Sequence, residues 1–268
     1  MKFTKMQGAG NDYVYVNCLD EMVANPSEVS RKVSDRHFGI GSDGLVLICP
    51  SQVADCRMRM FNADGSEGEM CGNAIRCVGK YVYDHNLIQK ECISVETLGG
   101  IKQLRLMMEN GRVKAAQVDM GIPIFTSKLP EAIAVDGKNY EFIGVDMGCP
   151  HAVYFTEDVE PLDLEHIGPA FEHHERFPNR VNTEFVQVMD RTHIRMRVWE
   201  RGSGETLACG TGASASAAAS VLMGYTDHRV EVSLRGGVLL IDWDAETNHL
   251  YMTGPAVEVF HGEIEINY

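Results

Sequence analysis

The chain contains an ungapped internal repeat, and this repeat limits its possible folds more than any other feature. Residues 57–72 read RMRMFNADGSEGEMCG, and residues 195–210, 138 positions later, read RMRVWERGSGETLACG. Cys71 aligns with Cys209, and each of these cysteines is followed by a glycine. Self-similarity over a complete strand–turn–helix unit is typical of duplication, so we expect two halves that fold in the same way.

Each half combines short strands of alternating polarity with one central helix that begins just after its aligned cysteine. The second central helix, predicted over Gly210–Met223, consists mainly of small residues, so it must be packed closely on every side, as inside a curled sheet. The fold class is therefore α+β. Further helices are predicted at Pro26–His37, Gly72–His85 and Leu162–Phe177, and the strands include Tyr13–Asn17, Leu45–Ile48, Arg57–Phe61, Ile101–Met107, Ala152–Phe155, Glu184–Met189, Ile194–Glu200, Val238–Asp242 and His249–Met252.

The boundary between the halves is predicted near Val118–Ser127, where Met-Gly-Ile-Pro ends the first half. We expect a first domain over residues 1–118, which carries Cys71, and a second over residues 119–262, which carries Cys209. Residues 263–268 are expected to pack back on the first domain. The active site is expected in the cleft between the two domains.

The composition is that of a globular protein with a strong acidic excess. The 268 residues carry a formal net charge of −14 without a Lys/Arg cluster, which argues against a nucleic-acid partner. No signal peptide and no apolar run of roughly 20 residues are visible, so no membrane association is expected. Eight cysteines without a C-x-x-C pair indicate reduced thiols in the cytoplasm and give no metal signature.

Cys71 and Cys209 are both predicted at the start of a helix. Unpaired N–H groups and the helix dipole stabilise a thiolate there, which lowers the pKa of a cysteine toward neutrality. The glycine after each cysteine lets a bound carboxylate approach the backbone amides. Two such thiols on opposite faces of one carbon suit the inversion of a stereocentre, because one removes the α-proton and the other returns a proton.

The sequence resembles diaminopimelate epimerases over nearly its whole length. The motifs that carry the resemblance are FTKMQGAGND (residues 3–12), FGIGSDG (38–44), FNADGS (61–66), MCGN (70–73), ERGSGET (200–206) and ACGTGA (208–213). The resemblance implies two pseudo-symmetric domains, each a curved, mostly antiparallel, barrel-like sheet wrapped round a central helix. It also implies a homodimer that interconverts LL- and meso-diaminopimelate, for lysine and peptidoglycan precursor synthesis, without pyridoxal phosphate, another cofactor or a metal.

The same resemblance assigns roles to individual residues. It implies Cys71 and Cys209 as the two bases, and the backbone amides of Gly72, Asn73, Gly210 and Thr211 as the carboxylate site. The residues implied near the reacting centre are Asn11, Glu200 and His151, and those implied at the distal amino-carboxyl end are Asn62, Asn182 and Arg201. Gly148-Cys149-Pro150-His151 departs from the family's Gly-Asn-Pro-His. A thiol thus replaces an amide that ordinarily contacts the distal end of the substrate.

Four other interpretations compete with this one. A racemase of another amino acid, such as histidine, would use the same fold and the same pair of thiols. An isomerase of the phenazine-biosynthesis type would lack the paired cysteines. A nucleotide-binding module built on residues 210–215 (GTGASA) lacks the buried parallel strand that precedes a dinucleotide site. A noncatalytic amino-acid-binding protein would keep the cleft as a receptor.

Overall fold

The structure, a computed structural model, describes residues 1–19 and 22–266. In chain order the elements are β1 (Lys2–Gly8), β2 (Asn11–Asn17), α1 (Pro26–Ser34), β3 (Gly44–Cys49), β4 (Cys56–Asn62), β5 (Glu67–Gly68), α2 (Gly72–Asp84), β6 (Cys92–Thr97), β7 (Gly100–Glu109), β8 (Arg112–Gly121), β9 (Ile124–Phe125), β10 (Glu131–Val135), β11 (Lys138–Asp146), β12 (Pro150–Phe155), α3 (Leu164–Glu172), β13 (Asn182–Val188), β14 (His193–Glu200), β15 (Gly204–Thr206), α4 (Gly210–Leu222), β16 (Arg229–Leu234), β17 (Gly237–Trp243), β18 (Leu250–Pro255) and β19 (Val257–Glu263). None of the helices in these residues is long and apolar enough to span a membrane.

The chain divides into two compact units. Met1–Val118 and the segment from Gly254 onward form the first unit, and Asp119–Thr253 forms the second. The C-terminal return therefore begins at Gly254, whereas the sequence interpretation kept residues 254–262 in the second half. The physical reason is that β19 pairs antiparallel with β1, and that Ile264 and Ile266 pack against the core of the first unit. Residues 267 and 268, which were also predicted to return, lie outside the described residues.

The two units have the same internal strand pairing. In the first, β1 pairs antiparallel with β2, β2 parallel with β3, β3 antiparallel with β4, β4 parallel with β6, and β6 antiparallel with β7. In the second, β11, β12, β13, β14, β16 and β17 follow one another with the same directions. The register repeats as well: Tyr13 pairs with Gly44, and His151 pairs with Asn182, 138 positions later. The α+β fold with two similar halves is confirmed.

Each unit buries its central helix on nearly all sides. Ten of the thirteen residues of α2 are buried, and the same holds for α4, so neither helix has the continuous exposed face of a surface helix. α4 packs against strands β11 to β14 and β16 to β17, and its small residues allow this close approach. Its buried hydroxyls remain satisfied, because Ser214 and Ser220 donate to carbonyls one turn earlier, those of Gly210 and Ser216.

Two helices are shorter than the sequence predicted. α1 ends at Ser34 because Asp35 is extended and its carboxylate accepts hydrogen bonds from the backbone N–H groups of His37 and Phe38. α3 begins after Asp163, whose carboxylate accepts from the N–H of His166, and it ends at Glu172. In the turns that follow, the N–H groups of His173, His174 and Phe177 bond to carbonyls three or four residues back.

Candidate functional site

Cys71 and Cys209 are the N-cap residues of α2 and α4, as predicted. Both have extended backbones, with φ −135° and ψ 120° at Cys71 and φ −123° and ψ 113° at Cys209. The Cys71 sulfur accepts a hydrogen bond from the N–H of Ala74 at 3.5 Å, and the Cys209 sulfur accepts one from the N–H of Gly212 at 3.4 Å. The two thiols thus occupy the same position on the same local framework, at the positive end of a buried helix.

The first thiol cluster is a group of residues in the first unit: Cys71, Asn11, Gly72, Asn73 and Arg76. The Cys71 thiol donates to the side-chain oxygen of Asn11 at 3.4 Å, so the structure brings these two predicted residues together. The amide of Asn11 donates in turn to Asp43 at 2.8 Å, and Arg36 donates to the same carboxylate at 2.9 Å. This chain of contacts fixes the orientation of Asn11 next to the thiol.

Arg76 is fully buried, and the sequence reasoning missed it. Its guanidinium donates to the carbonyl of Gly72 at 3.0 Å and to the side-chain oxygen of Asn73 at 2.9 Å. Burial lowers the pKa of Arg76, and its electrostatic interaction with the Cys77 and Cys71 thiols opposes that shift. The signal in the sequence was a charged residue between two apolar ones, Ile75 and Cys77, near the start of the helix. Arg76 orders the first turn of α2 and places a cation close to Cys71.

Among the described residues, no contact connects Asn62 with the first thiol cluster. Asn62 ends β4, is exposed, and donates from its side-chain amide to Ser66 at 3.0 Å. Gly72 and Asn73 occupy the first helical positions after Cys71, as the carboxylate-site prediction requires. The side chain of Asn73 is held by Arg76, so the polar groups that this helix start presents include its backbone amides.

The second thiol cluster lies in the second unit and consists of Cys209, Cys149, His151, Glu184, Glu200 and Thr211. The Cys209 thiol is only 6% exposed and lies 3.4 Å from the Thr211 hydroxyl. Burial raises the pKa of Cys209 well above its usual range, and the negative charges of Glu200 and Glu184 raise it further. The prediction that the helix start lowers this pKa toward neutrality is therefore wrong for Cys209, because desolvation and two carboxylates outweigh the dipole.

Glu200 ends β14 and accepts a hydrogen bond from the hydroxyl of Thr206. Burial raises the pKa of Glu200, and the hydrogen bonds from Thr206 and Cys209 oppose that rise. The structure thus places Glu200 beside Cys209, as the sequence interpretation required of a residue near the reacting centre.

A triad of the partly exposed Cys149 with the buried His151 and Glu184 supports this cluster, and the sequence reasoning recognised it only in part. The His151 ring contacts the Cys149 sulfur at 3.2 Å through Nε2 and the carboxylate of Glu184 at 2.7 Å through Nδ1. Burial alone would lower the pKa of His151, but Glu184 and Cys149 together raise it to about 10. Burial would raise the pKa of Cys149, but the hydrogen bond and charge of His151 lower it below its ordinary value. Glu184, a carboxylate on a buried strand, was the missed residue.

Asn182 joins this cluster, and the side chain of Arg201 does not. The amide nitrogen of Asn182 donates to the carbonyl of Pro150 at 3.2 Å and contacts the Cys149 sulfur at 3.7 Å. Its side-chain oxygen accepts from the backbone N–H of Arg201 at 2.9 Å. The guanidinium of Arg201 is directed instead to the carbonyl of Asn179 at 3.4 Å, at the surface.

Solved structures with the same fold show the structural class to which this chain belongs. A phenazine biosynthesis protein of the PhzF family from Bacillus anthracis superimposes with a TM-score of 0.75 at 17% identity, covering 99% of both chains. A probable proline racemase from Agrobacterium radiobacter K84 gives a TM-score of 0.74 at 13% identity, covering 99% of this chain and 93% of that one. At these identities the likeness shows the fold alone, which is that of the PhzF and proline racemase structures.

Sequence comparison narrows the class to one family. Diaminopimelate epimerase from Acetivibrio thermocellus is 58% identical over 278 residues, covering 100% of this chain and 99% of the relative. The protein of the same name from Desulfovibrio desulfuricans is 58% identical over 283 residues, covering 99% of each. The sequence model of that family matches residues 3–126 and 143–259. The chain therefore belongs to the diaminopimelate epimerase family, and it is an isomerase.

Proposed function

We propose that this isomerase interconverts LL- and meso-diaminopimelate by proton transfer between the substrate α-carbon and two thiols, those of Cys71 and Cys209. The observation that carries the proposal is the duplicated helix start: two cysteines with the same capping geometry, each at the head of a buried helix. The names and identities of the relatives support the substrate.

The charges of the two clusters support a direction for the first proton transfer. Cys209 keeps its proton at neutral pH, because burial and the nearby carboxylates raise its pKa. Cys71 lies at a helix start and close to the buried Arg76 guanidinium. A protonated Cys209 can act only as the acid in the first transfer, so we propose that Cys71 is the base of that step. The roles reverse for the opposite stereoisomer, and each turnover leaves the enzyme in the complementary state.

The remaining predicted residues have proposed binding roles. The N–H groups at Gly72 and Asn73 and at Gly210 and Thr211 bind the reacting carboxylate and stabilise the charge that develops when the α-proton leaves. Near the same centre, Asn11 and Glu200 contact the α-ammonium group. The residues proposed for the distal amino-carboxyl end are Asn62, Asn182 and Arg201. The exposed guanidinium of Arg201 suits a carboxylate, which it can bind through two parallel hydrogen bonds.

The proposal extends to the state of the protein in the cell. We propose a homodimer in the cytoplasm that needs neither metal nor pyridoxal phosphate. All eight cysteines are free, which agrees with a reducing compartment. Light scattering coupled to size-exclusion chromatography is the measurement for the dimer, and a mass of one chain at working concentration would contradict it.

Stereoinversion in deuterated water tests the proposed reaction. Starting from LL-diaminopimelate, the meso product should carry deuterium at the inverted centre, because its new proton comes from a different thiol than the one that accepted the old proton. Complete retention of the original hydrogen would indicate a single base. A parallel panel of amino acids tests the substrate: faster inversion of histidine would identify a racemase of another amino acid, and binding without inversion would identify a receptor.

A further inference from the structure

Cys149 occupies a position that the two units share, but its side chain differs from that of its counterpart. In the register that pairs Tyr13 with Gly44 and His151 with Asn182, Cys149 is the counterpart of Asn11. Asn11 presents an amide to Cys71. Cys149 instead presents a second thiol to the helix start that carries Cys209. The second thiol cluster therefore contains two sulfurs, only one of which the proposed stereoinversion uses.

The contacts of Cys149 are those of an activated nucleophile. Its sulfur lies 3.2 Å from His151 Nε2, and Nδ1 of the same ring lies 2.7 Å from Glu184. His151 is 1% exposed and Glu184 is fully buried. The second carboxylate oxygen of Glu184 is also buried and has no hydrogen-bond partner in the described part of the chain. Because a buried carboxylate needs a compensating charge, Glu184 keeps the ring protonated, and the protonated ring stabilises a thiolate.

The groups around Cys149 agree with this charge distribution. They come from three elements: His151 from β12, Asn182 and Glu184 from β13, and Cys209 and Thr211 from the start of α4. The positive His151 is the group in direct contact with the sulfur, and it lowers the pKa of Cys149 although burial opposes the shift. The pKa of Cys209 is raised instead, so Cys209 keeps its proton. Cys149 is also partly exposed, next to the exposed Gly148, so reagents can reach it.

We propose that Cys149 is a modification site, a thiolate that reacts first with peroxides and soft electrophiles, and that Cys209 resolves its oxidised form into a disulfide. Both sulfurs contact one hydroxyl, since Cys149 lies 3.6 Å and Cys209 3.4 Å from Thr211 Oγ1. This reactivity goes beyond the proposed stereoinversion and does not depend on which substrate the enzyme inverts.

The oxidation balances with hydrogen peroxide as the oxidant. The Cys149 thiolate attacks one peroxide oxygen and the O–O bond breaks, so that Cys149 becomes a sulfenic acid. The departing hydroxide takes a proton and forms water. The Cys209 sulfur then attacks the Cys149 sulfur, its proton and the expelled hydroxide form a second water, and the disulfide closes. The raised pKa of Cys209 slows this second step, because only a small fraction of the attacking thiol is ionised.

Alkylation with iodoacetamide, followed peptide by peptide by mass spectrometry, tests the thiolate. A thiol of ordinary acidity gains roughly 50- to 100-fold in rate between pH 6 and pH 8, because its ionised fraction grows with pH. The Cys149 rate should rise by a clearly smaller factor over this range than the rate of the exposed Cys92, which is measured in the same sample as the internal reference. His151→Gln should restore the steep dependence at Cys149 and leave Cys92 unchanged. A steep dependence at Cys149 in the wild type would overturn the proposal, whether or not His151→Gln folds.

Peroxide treatment tests the resolving step. In Cys209→Ser, dimedone should label Cys149 as a stable sulfenic acid. In the wild type a disulfide between the Cys149 and Cys209 peptides should form, and dithiothreitol should reverse it. Cys92→Ser is the matched control and should form the same disulfide, whereas Cys149→Ser should form none. Dimedone labelling of Cys71 or Cys209 with Cys149 still reduced, or a peroxide-induced disulfide that excludes Cys149, would show that the proposal is wrong.

Discussion

The two thiol clusters share a backbone framework and differ in charge. Cys71 and Cys209 cap their helices with similar dihedral angles and similar sulfur contacts. A buried guanidinium, Arg76, lies close to the first thiol, whereas the buried carboxylates of Glu184 and Glu200 lie close to the second. At the positions related by the repeat, Arg76 corresponds to Ser214, and Glu200 corresponds to Asn62. The repeat therefore duplicated the scaffold, and the charged residues diverged on it.

This difference bears directly on the proposed chemistry. Two thiols in equal environments would share their protons equally, so neither would have a preferred role as acid or base. The raised pKa of Cys209 removes this equality, because Cys209 keeps its proton at rest and can serve as the acid. Electrostatic tuning of two like groups in opposite directions is a general way to assign acid and base roles. Measurements on single-residue variants test whether the two clusters differ in this way.

The largest effect is expected from removing either thiol. Cys71→Ala and Cys209→Ala should each lower kcat by about 10³-fold or more, because each removes an acid–base group that the reaction needs in every turnover. Circular dichroism should stay that of the wild type, and Cys92→Ala should keep its activity. Substantial turnover by either variant, in a folded protein, would contradict the two-thiol mechanism and with it the functional meaning of the repeat.

A large effect on stability is expected at Arg76. Arg76→Met removes the guanidinium that donates to the side-chain oxygen of Asn73 and to the carbonyls of Gly72 and Pro255, so the free energy of unfolding should fall by about 1–3 kcal/mol. Arg105→Met, at an exposed position on β7, should change it by less than about 0.5 kcal/mol. Urea denaturation measures both. Equal, small effects would mean that Arg76 is not the central support of the first cluster.

Some features of the two clusters are set by local sequence, and others are set by the tertiary fold. Only the local ones could be predicted from the sequence. The helix starts at Cys71 and Cys209 and the repeated fold are local patterns, so they were predictable. Arg76 and Glu184 were not, since their roles depend on burial by strands distant in the sequence. The expected acidity of Cys209 was wrong for the same reason: the helix dipole is local, whereas desolvation and Glu200 come from the tertiary fold.

The difference in charge between the two clusters should also affect the free energy of unfolding at alkaline pH. The folded-state pKa of Cys209 is raised, so its contribution to stability is complete below the unfolded-state pKa of about 8.5 and is lost as the pH rises above that value. The unfolded chain then releases a proton that the folded chain still holds. Relative to Cys209→Ser, the wild type should lose about 1.4 kcal/mol of unfolding free energy per pH unit between pH 9 and pH 10. Parallel pH profiles of the two proteins in urea denaturation would contradict the raised pKa.

The smallest effect concerns Cys149, where the clusters differ by one thiol in place of one amide. If diaminopimelate is the substrate, Asn62, Asn182 and Arg201 hold its distal end without the amide that the resemblance leads us to expect at position 149. Cys149→Asn should then lower KM for diaminopimelate by up to roughly tenfold, which corresponds to one recovered hydrogen bond of about 1.4 kcal/mol, with a smaller change in kcat. The wild type should already invert diaminopimelate faster than monocarboxylic amino acids, because Arg201 has no carboxylate to bind in those.

Steady-state kinetics of the wild type and of Cys149→Asn, measured with diaminopimelate and with monocarboxylic amino acids, test this prediction. A raised KM in Cys149→Asn would mean that the thiol itself contributes to binding, through the charge it shares with His151. A wild-type preference for substrates without a distal carboxylate would show that the diaminopimelate assignment is wrong. Cys149 would then belong to a pocket that binds another amino acid. The paired chemistry of Cys71 and Cys209 would survive that outcome, because it depends on the helix starts and not on the distal end of the substrate.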